Sequence, residues 1–225
     1  MTTLLITVFP SILILLYFFL SDKFKEPKGT VILVFALGVL ICFPAGILNS
    51  FMADNFGNAD DMNDLTLSFL GPAWTEEILK FLILYTVVLR RNEFNEPMDG
   101  IVYGVVVSLG FATYENYDYV FRLAESWDIA PEQMAIWRSY TAVPMHGLNG
   151  AIMGFYFGLF AFTANKKYLI LSLTVPYLLH GFYNFLGYPF HYMIVGIMIV
   201  YAIILHSDLK KLQLKKNKEK EIKKI

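Results

Sequence analysis

Long runs of apolar residues divide this chain into pieces about as long as a membrane is thick, and no other feature limits its fold as much. A helix needs about 20 residues to cross roughly 30 Å of hydrocarbon. Windows of that length pick out seven candidates, near Leu4 to Leu20, Thr30 to Phe51, Leu65 to Leu89, Gly100 to Leu123, Arg138 to Phe162, Tyr168 to Gly187 and Tyr192 to Leu205. With 56% of its 225 residues hydrophobic and 16% charged, a soluble domain of this size would be hard to solvate. The expectation is an all-α, polytopic transmembrane helical bundle of about seven spans. The first run has no basic residue ahead of it and no small-residue cleavage site after Phe19-Leu20-Ser21, so it reads as a retained helix. A single cysteine, Cys42, excludes a disulfide within one chain and a multi-cysteine metal site.

Net charge is only -1, but the basic residues are unevenly placed. Lys23, Lys25 and Lys28 follow the first run, Arg90 and Arg91 the third, Lys166 and Lys167 the fifth, and eight lysines between Lys210 and Lys224 follow the seventh. The other connections offer Arg122, Arg138 and an acidic stretch from Asp54 to Asp64. Basic residues concentrate on the cytoplasmic side of membrane proteins, so the N-terminus is expected outside and the C-terminus in the cytoplasm. Residues 1–206 read as one transmembrane domain with its motif-bearing core at about 65–187, and residues 207–225 as a basic cytoplasmic tail. Such a tail anchors topology and attracts anionic membrane lipid. Nothing suggests a soluble domain, a phosphate-binding loop or a nucleic-acid partner.

An ionisable side chain near the bilayer centre costs roughly 2.5 to 3.5 kcal/mol on insertion scales, so each one needs a reason. The third run places Glu76, Glu77 and Lys80 in GPAWTEEILKFLILY, and the fourth carries Phe111, Glu115 and Asn116 in GFATYEN. The fifth carries His146, the sixth His180 and Asn184. Residues three or four apart share a helix face, which pairs Glu76 or Glu77 with Lys80, Phe111 with Glu115, and His180 with Asn184. At about 1.5 Å per residue, Glu77 is expected roughly 18 Å below its outer helix end, Glu115 and His146 about 12 Å, and His180 about 10 Å. Antiparallel helices thus bring their polar groups toward one level in the outer half of the bilayer. Asp99 lies at the cytoplasmic start of the fourth helix, where a carboxylate suits the helix dipole.

Such a cluster could merely tie helices together, but ionisable groups gathered inside a membrane more often mark chemistry or transport. A carboxylate can activate water while histidines stabilise an oxyanion or deliver a proton. The zinc-protease helix signature, the serine elbow and the Gly-x-Gly-Asp partner of Tyr117-Asp118 are all absent. Glutamate-plus-histidine hydrolysis remains among protease chemistries. A proton-coupled transporter, or a non-catalytic membrane protein that binds a partner in the same groove, would use the same residue types.

The residues resemble the PrsW intramembrane proteases, grouped with the CAAX-prenyl-protease and Abi membrane proteins. The resemblance covers nearly the whole chain. It rests on the Glu-Glu-x-x-Lys of Glu76, Glu77 and Lys80, on DGIVYGVVVSLGFATYEN from Asp99, on His146 with the following IMGFYFG, on VPYLLHGFYNF around His180, and on KEPKGTVILVFALG from Lys25. It implies a multi-pass protease of the bacterial plasma membrane that makes the first, extracytoplasmic cut in a single-span transmembrane protein of the anti-sigma-factor type. By family position Glu76, Glu77, Glu115, His146 and His180 form the catalytic set, with Lys80, Phe111, Asn116, Asn184 and Asp99 supporting it. On that reading Glu77, assisted by His146, activates water, His180 and Asn184 stabilise the oxyanion, and Lys80 sets the charge of the glutamate pair. Two histidines with a carboxylate also suit a divalent metal such as zinc, with His146, His180 and Glu115 as its ligands.

Overall fold

A computed structural model describes residues 1–57 and 64–222, and side chains as far as Leu214. The middle of the acidic stretch, with Asp60 and Asp61, and most lysine side chains of the tail lie outside the described residues. Among the described residues there is no strand. Helices α1 (Thr2–Ser21) and α2 (Lys28–Phe56, with a turn at Ile41) lead through a broken segment to α3 (Trp74–Thr86). Then come α4 (Pro97–Asp118), the short α5 (Pro131–Tyr140), α6 (Ala142–Thr163), α7 (Lys166–Leu186) and α8 (His191–Ile222). Among the described residues four helices are long and apolar enough to cross a membrane: α1, α2, α7 and the part of α8 up to Leu214.

The two helices at the centre, α4 and α6, are of spanning length at 22 residues each but less uniformly apolar. They are shielded by protein, so they need not match lipid. Every residue of α4 from Met98 to Ala112 is buried, which makes it a helix enclosed all round. Its contact with α6 depends on glycine. A Cβ built on Gly104 would run into the Gly150 carbonyl oxygen, and one on Gly154 into that of Gly100. Small residues permit this backbone-to-backbone approach, the usual way helices pack when lipid removes the hydrophobic drive between them. Around this seam Ile101, Val105 and Leu109 pack with Val143, Ile152 and Ala202, and on the other side Val102 and Val106 pack with Val34, Leu84 and Phe157.

Two of the apolar runs are not continuous helices. The run from Leu65 to Leu89 opens as a helical turn, Leu65–Ser68, widens at Phe69–Ala73 and restarts as α3. The cause is Gly71-Pro72: proline offers no N–H and crowds the preceding turn, and Gly71 leaves helical geometry with ψ -120°. The run from Arg138 to Phe162 breaks at Thr141 (φ -124°, ψ -76°), which detaches α5 from α6. Conversely, the boundary expected at 206–207 falls inside α8, whose Leu209 and Gln213 are buried against the bundle.

The helices place Lys23, Lys25, Lys28, Arg90, Arg91, Lys166 and Lys167 at one end, apart from Lys80, Arg122 and Arg138. There Gln213 of α8 donates to Asp22 after α1 at 2.8 Å, and Thr30 of α2 donates to Glu93 before α4. At the opposite end Asn116 of α4 donates to the Thr7 carbonyl of α1 at 2.7 Å, and Thr3 donates to Glu132 of α5 at 2.8 Å.

Candidate active site

The polar residues of α3, α4, α6 and α7 converge at the end away from the lysines. Glu76 and Glu77 sit in the first turn of α3, His146 in the first turns of α6, Glu115 in the last turn of α4, and His180 about two turns before the end of α7. The break at Gly71-Pro72 gives the glutamates their place, because it sets the start of α3 beside the other helices rather than deep within a long span. Glu77 is thus near the start of its helix, not the roughly 18 Å below it expected for an unbroken one.

Lys80 lies at the middle, fully buried, one turn from both glutamates. Its Nζ is 2.9 Å from Glu77 Oε1, 3.5 Å from Glu76 Oε2 and 3.0 Å from His146 Nδ1, and 4.3 Å above the Phe111 ring. An ammonium has donors only, so it donates to Nδ1. The remaining ring proton of His146 is then on Nε2, which donates to Glu115 Oε2 at 2.9 Å. His180 makes the matching pair, its Nδ1 donating to Glu77 Oε1 at 2.9 Å. The site therefore holds two carboxylate–histidine pairs, Glu77–His180 and Glu115–His146, with the two rings edge to face at 5.3 Å.

Two of the expected supporting residues do not reach the histidines. Asp99 does not join the cluster. It caps α4 at the basic end, its Oδ2 accepting from the backbone N–H of Asn95 at 2.7 Å and Glu96 at 2.9 Å while Glu96 completes a capping box. Sixteen residues of helix, about 24 Å, separate it from Glu115, because residues of one helix cannot share a site from opposite ends. Asn116 turns away from the histidines: it accepts from Arg138 and donates to Thr7. Phe111 lies against Lys80 and the His146 ring. Asn184 lines the cleft with His180, one turn away on α7.

Residues that the spacing argument did not select complete the shell. Arg138, counted there only as a connection charge, reaches Glu115 Oε2 with Nη2 at 2.6 Å. Asn49 of α2 approaches Glu76 Oε1 at 3.5 Å and accepts a hydrogen bond from Thr75. The available signal was a lone polar residue inside an apolar run, Asn49, and a charge at the edge of one, Arg138.

A metal would fit a subset of these groups. Glu76, His146 and His180 each offer a ligand atom, all within 4.8 Å of one another. Two imidazoles and a carboxylate make a familiar zinc donor set. Glu76 Oε2 and Glu77 Oε2 are buried without a hydrogen-bond partner, as expected where a further group belongs. Glu115 is absent from this set, because its Oε2 is shared by Arg138 and His146. A cleft of about 240 Å³ reaches the site between Leu67, Pro72, Arg138, Tyr119, Tyr183 and Asn184.

Known proteins are similar to this chain over most of its length. The family described as PrsW family intramembrane metalloprotease matches residues 26–206. Protease PrsW of Bacillus subtilis is 41% identical over 182 residues, covering 79% of this chain and 78% of its own, and that of Geobacillus kaustophilus is 39% identical over 182 residues, covering 80% and 76%. Protease PrsW of Clostridioides difficile is 30% identical over 225 residues, 97% of this chain and 93% of its own. No solved structure matches. With a match over most of its length, and a helical membrane bundle that gathers glutamates and histidines at one end, this chain belongs to the PrsW family of intramembrane proteases.

Proposed function

We propose that this peptidase cuts a single-span transmembrane protein of the anti-sigma-factor type near the outer face of a bacterial plasma membrane, with Glu76, Glu77, Glu115, His146 and His180 as its working residues. The observation that carries this reading is the pair of carboxylate–histidine contacts around the Oε2 atoms of Glu76 and Glu77, which are buried without a hydrogen bond, beside an open cleft. The side of the membrane follows from the separation of this cluster from the basic end, since basic loops stay in the cytoplasm.

Each residue then has a task set by its contacts. Glu77 takes His180 and Lys80 on Oε1, which leaves Oε2 to accept a proton from the attacking water. His180, its Nδ1 committed to Glu77, turns the Nε2 lone pair to the cleft, and Asn184 beside it offers the amide N–H donors that a developing oxyanion needs. Lys80 holds the charges of Glu76 and Glu77 in a protein interior that would otherwise oppose them. Glu115 fixes the orientation of His146 as a carboxylate partner does in metal sites. If a divalent ion such as zinc is bound, Glu76, His146 and His180 hold it, and it supplies Lewis-acid polarisation of the scissile carbonyl and a more acidic water.

The test is a comparison of membrane proteomes between cells carrying the wild-type chain and the Glu76→Gln/Glu77→Gln double variant. A single-span protein should be shortened on its extracytoplasmic side only with the wild type. No such product, together with proton-coupled flux in reconstituted vesicles, would assign the cluster to transport instead. Chelator treatment of the purified enzyme should abolish cleavage and added zinc restore it; activity that survives chelation would leave water activation to Glu77 alone.

A further inference from the structure

Helix α5 sits outside the apolar spans, yet it delivers one long side chain to the centre of the site. Proline at its first helical position starts it, and the backbone at Thr141 ends it. Met134 and Ala135 are buried while Ile136, Trp137 and Tyr140 are exposed, the pattern of a helix lying along a surface. From its last turn Arg138 crosses to α4 and meets Glu115 and Asn116 of that helix and Tyr119 just beyond its end. Nη2 donates to Glu115 Oε2 at 2.6 Å, Nε donates to Asn116 Oδ1 at 2.8 Å, and the guanidinium carbon lies 3.8 Å above the Tyr119 ring. Asn116 in turn is anchored on the Thr7 carbonyl of α1.

This is a planar fork held on one face by an aromatic ring and along one edge by two acceptors, an arrangement lysine cannot copy. The Arg138 side chain is only 12% exposed, so little of its orientation is left to solvent. The same carboxylate oxygen that receives Nη2 also receives His146 Nε2 at 2.9 Å. Glu115 is 17% exposed and, without the fork, is free to turn toward the cleft. The His146 ring would then lose the acceptor for its Nε2–H that keeps Nδ1 aimed at Lys80, and a ring free to turn away from Lys80 exchanges its tautomers.

We propose that Arg138 is a positioning residue of the protease site: by clamping Glu115 it holds His146 as the Nε2–H tautomer, with the Nδ1 lone pair turned inward toward Lys80 and the Glu76–His180 group. The link runs Arg138, Glu115, His146, across three helices that the sequence separates. It makes α5 a working part of the site, although α5 supplies no group to the reacting atoms. The inference rests on the protease reading only for its kinetic consequence; the tautomer itself is a property of the resting protein.

The experiment uses the full chain in nanodiscs with 15N-labelled histidine, assigned through His146→Gln and His180→Gln. The wild type should show His146 with a protonated Nε2 and an unprotonated Nδ1. Arg138→Gln should give an averaged, mixed-tautomer signal, and Arg138→Lys an intermediate one. Where a substrate is in hand, Arg138→Gln should lower kcat roughly 10- to 100-fold, the usual cost of losing an outer-shell partner, with KM within about twofold. Glu115→Gln should then add little on top of it, since both act through one contact. An unchanged tautomer in folded Arg138→Gln overturns the proposal. So does a raised KM with kcat intact, which would make Arg138 a substrate-binding residue. If Arg138→Gln does not fold, Arg138→Lys decides alone: a wild-type His146 spectrum there overturns the clamp. Because the spectra need no substrate, a failure to find any cleaved protein would count against the protease reading and leave the tautomer result standing.

Discussion

The bundle buries two groups of carboxylates, one at each end, and solves the same electrostatic problem in opposite ways. At the cleft end Glu76, Glu77 and Glu115 are matched by the cations Lys80 and Arg138, with two histidines hydrogen-bonded among them. At the basic end Asp22, Glu26 and Asp99 lie buried with ligand atoms within 4.8 Å of one another, and no ion pair among the described residues includes them. Their partners are neutral donors instead: Tyr103 for Glu26, Gln213 and the Phe24 N–H for Asp22, two backbone N–H groups for Asp99. The first arrangement keeps several charged forms present together in a dry place, which is what acid–base chemistry needs. The second favours a proton on Glu26 and joins α1, α4 and α8 as a structural knot.

That contrast can be broken most directly at its centre. Lys80→Met should leave Glu76 and Glu77 buried without their cation, and removal of one partner from a buried pair typically costs about 3 to 5 kcal/mol. Urea unfolding in micelles should show a loss of that order along with complete loss of cleavage; a stable but inactive variant would mean the glutamates simply take up protons. Glu77→Gln keeps shape and hydrogen bonding yet removes the base. It should cost at least about a hundredfold in kcat with the fold intact, and near-normal turnover would move the base to Glu76.

The basic end should respond differently. Asp99→Asn keeps one acceptor for the α4 cap, so the expected loss is about 1 kcal/mol of stability with kcat unchanged. A fall in kcat equal to that of Glu77→Gln would join the two ends functionally. Burial, first of all, pushes the Glu26 carboxyl from 4.5 up to about 8, with Asp99 and Asp22 adding repulsion. The folded protein thus binds a proton there that the unfolded chain releases. Its contribution is fully present below about pH 4.5 and is lost as pH rises through about 8. Thermal midpoints across pH 5 to about 9 should decline for the wild type and decline less for Glu26→Gln; parallel curves would remove Glu26 as the cause. The smallest effect belongs to Gln213→Leu, which removes amide bonds to Asp22 and Glu96 and should cost about 1 kcal/mol.

Much of the site was legible in the chain because its chemistry is rare in its setting. A glutamate or histidine within an apolar run is conspicuous, and Glu76, Glu77, Glu115, His146 and His180 stand in such runs. Arg138 was not, because it stands at a run's edge, where a charge is also what a connection would carry. Asp99 was grouped with the site only through the family motif it shares with Glu115; its position at the cytoplasmic start of α4, the opposite end of that helix, was legible from the sequence. The broken run at Gly71-Pro72 was visible as residue types, but whether a glycine–proline pair bends, widens or ends a helix depends on what packs beside it.

Hydrophobic length and the placement of lysines are properties of single segments, so the sequence alone determined that this is a helical membrane protein with its basic residues at one end. Which carboxylate meets which base is a property of helices brought side by side. Only the tertiary structure assigned Glu77 to His180 and Glu115 to both His146 and Arg138. The reason is distance: ionic and hydrogen-bond contacts operate over about 3 Å, while the residues that make them here are separated by up to 103 positions along the chain.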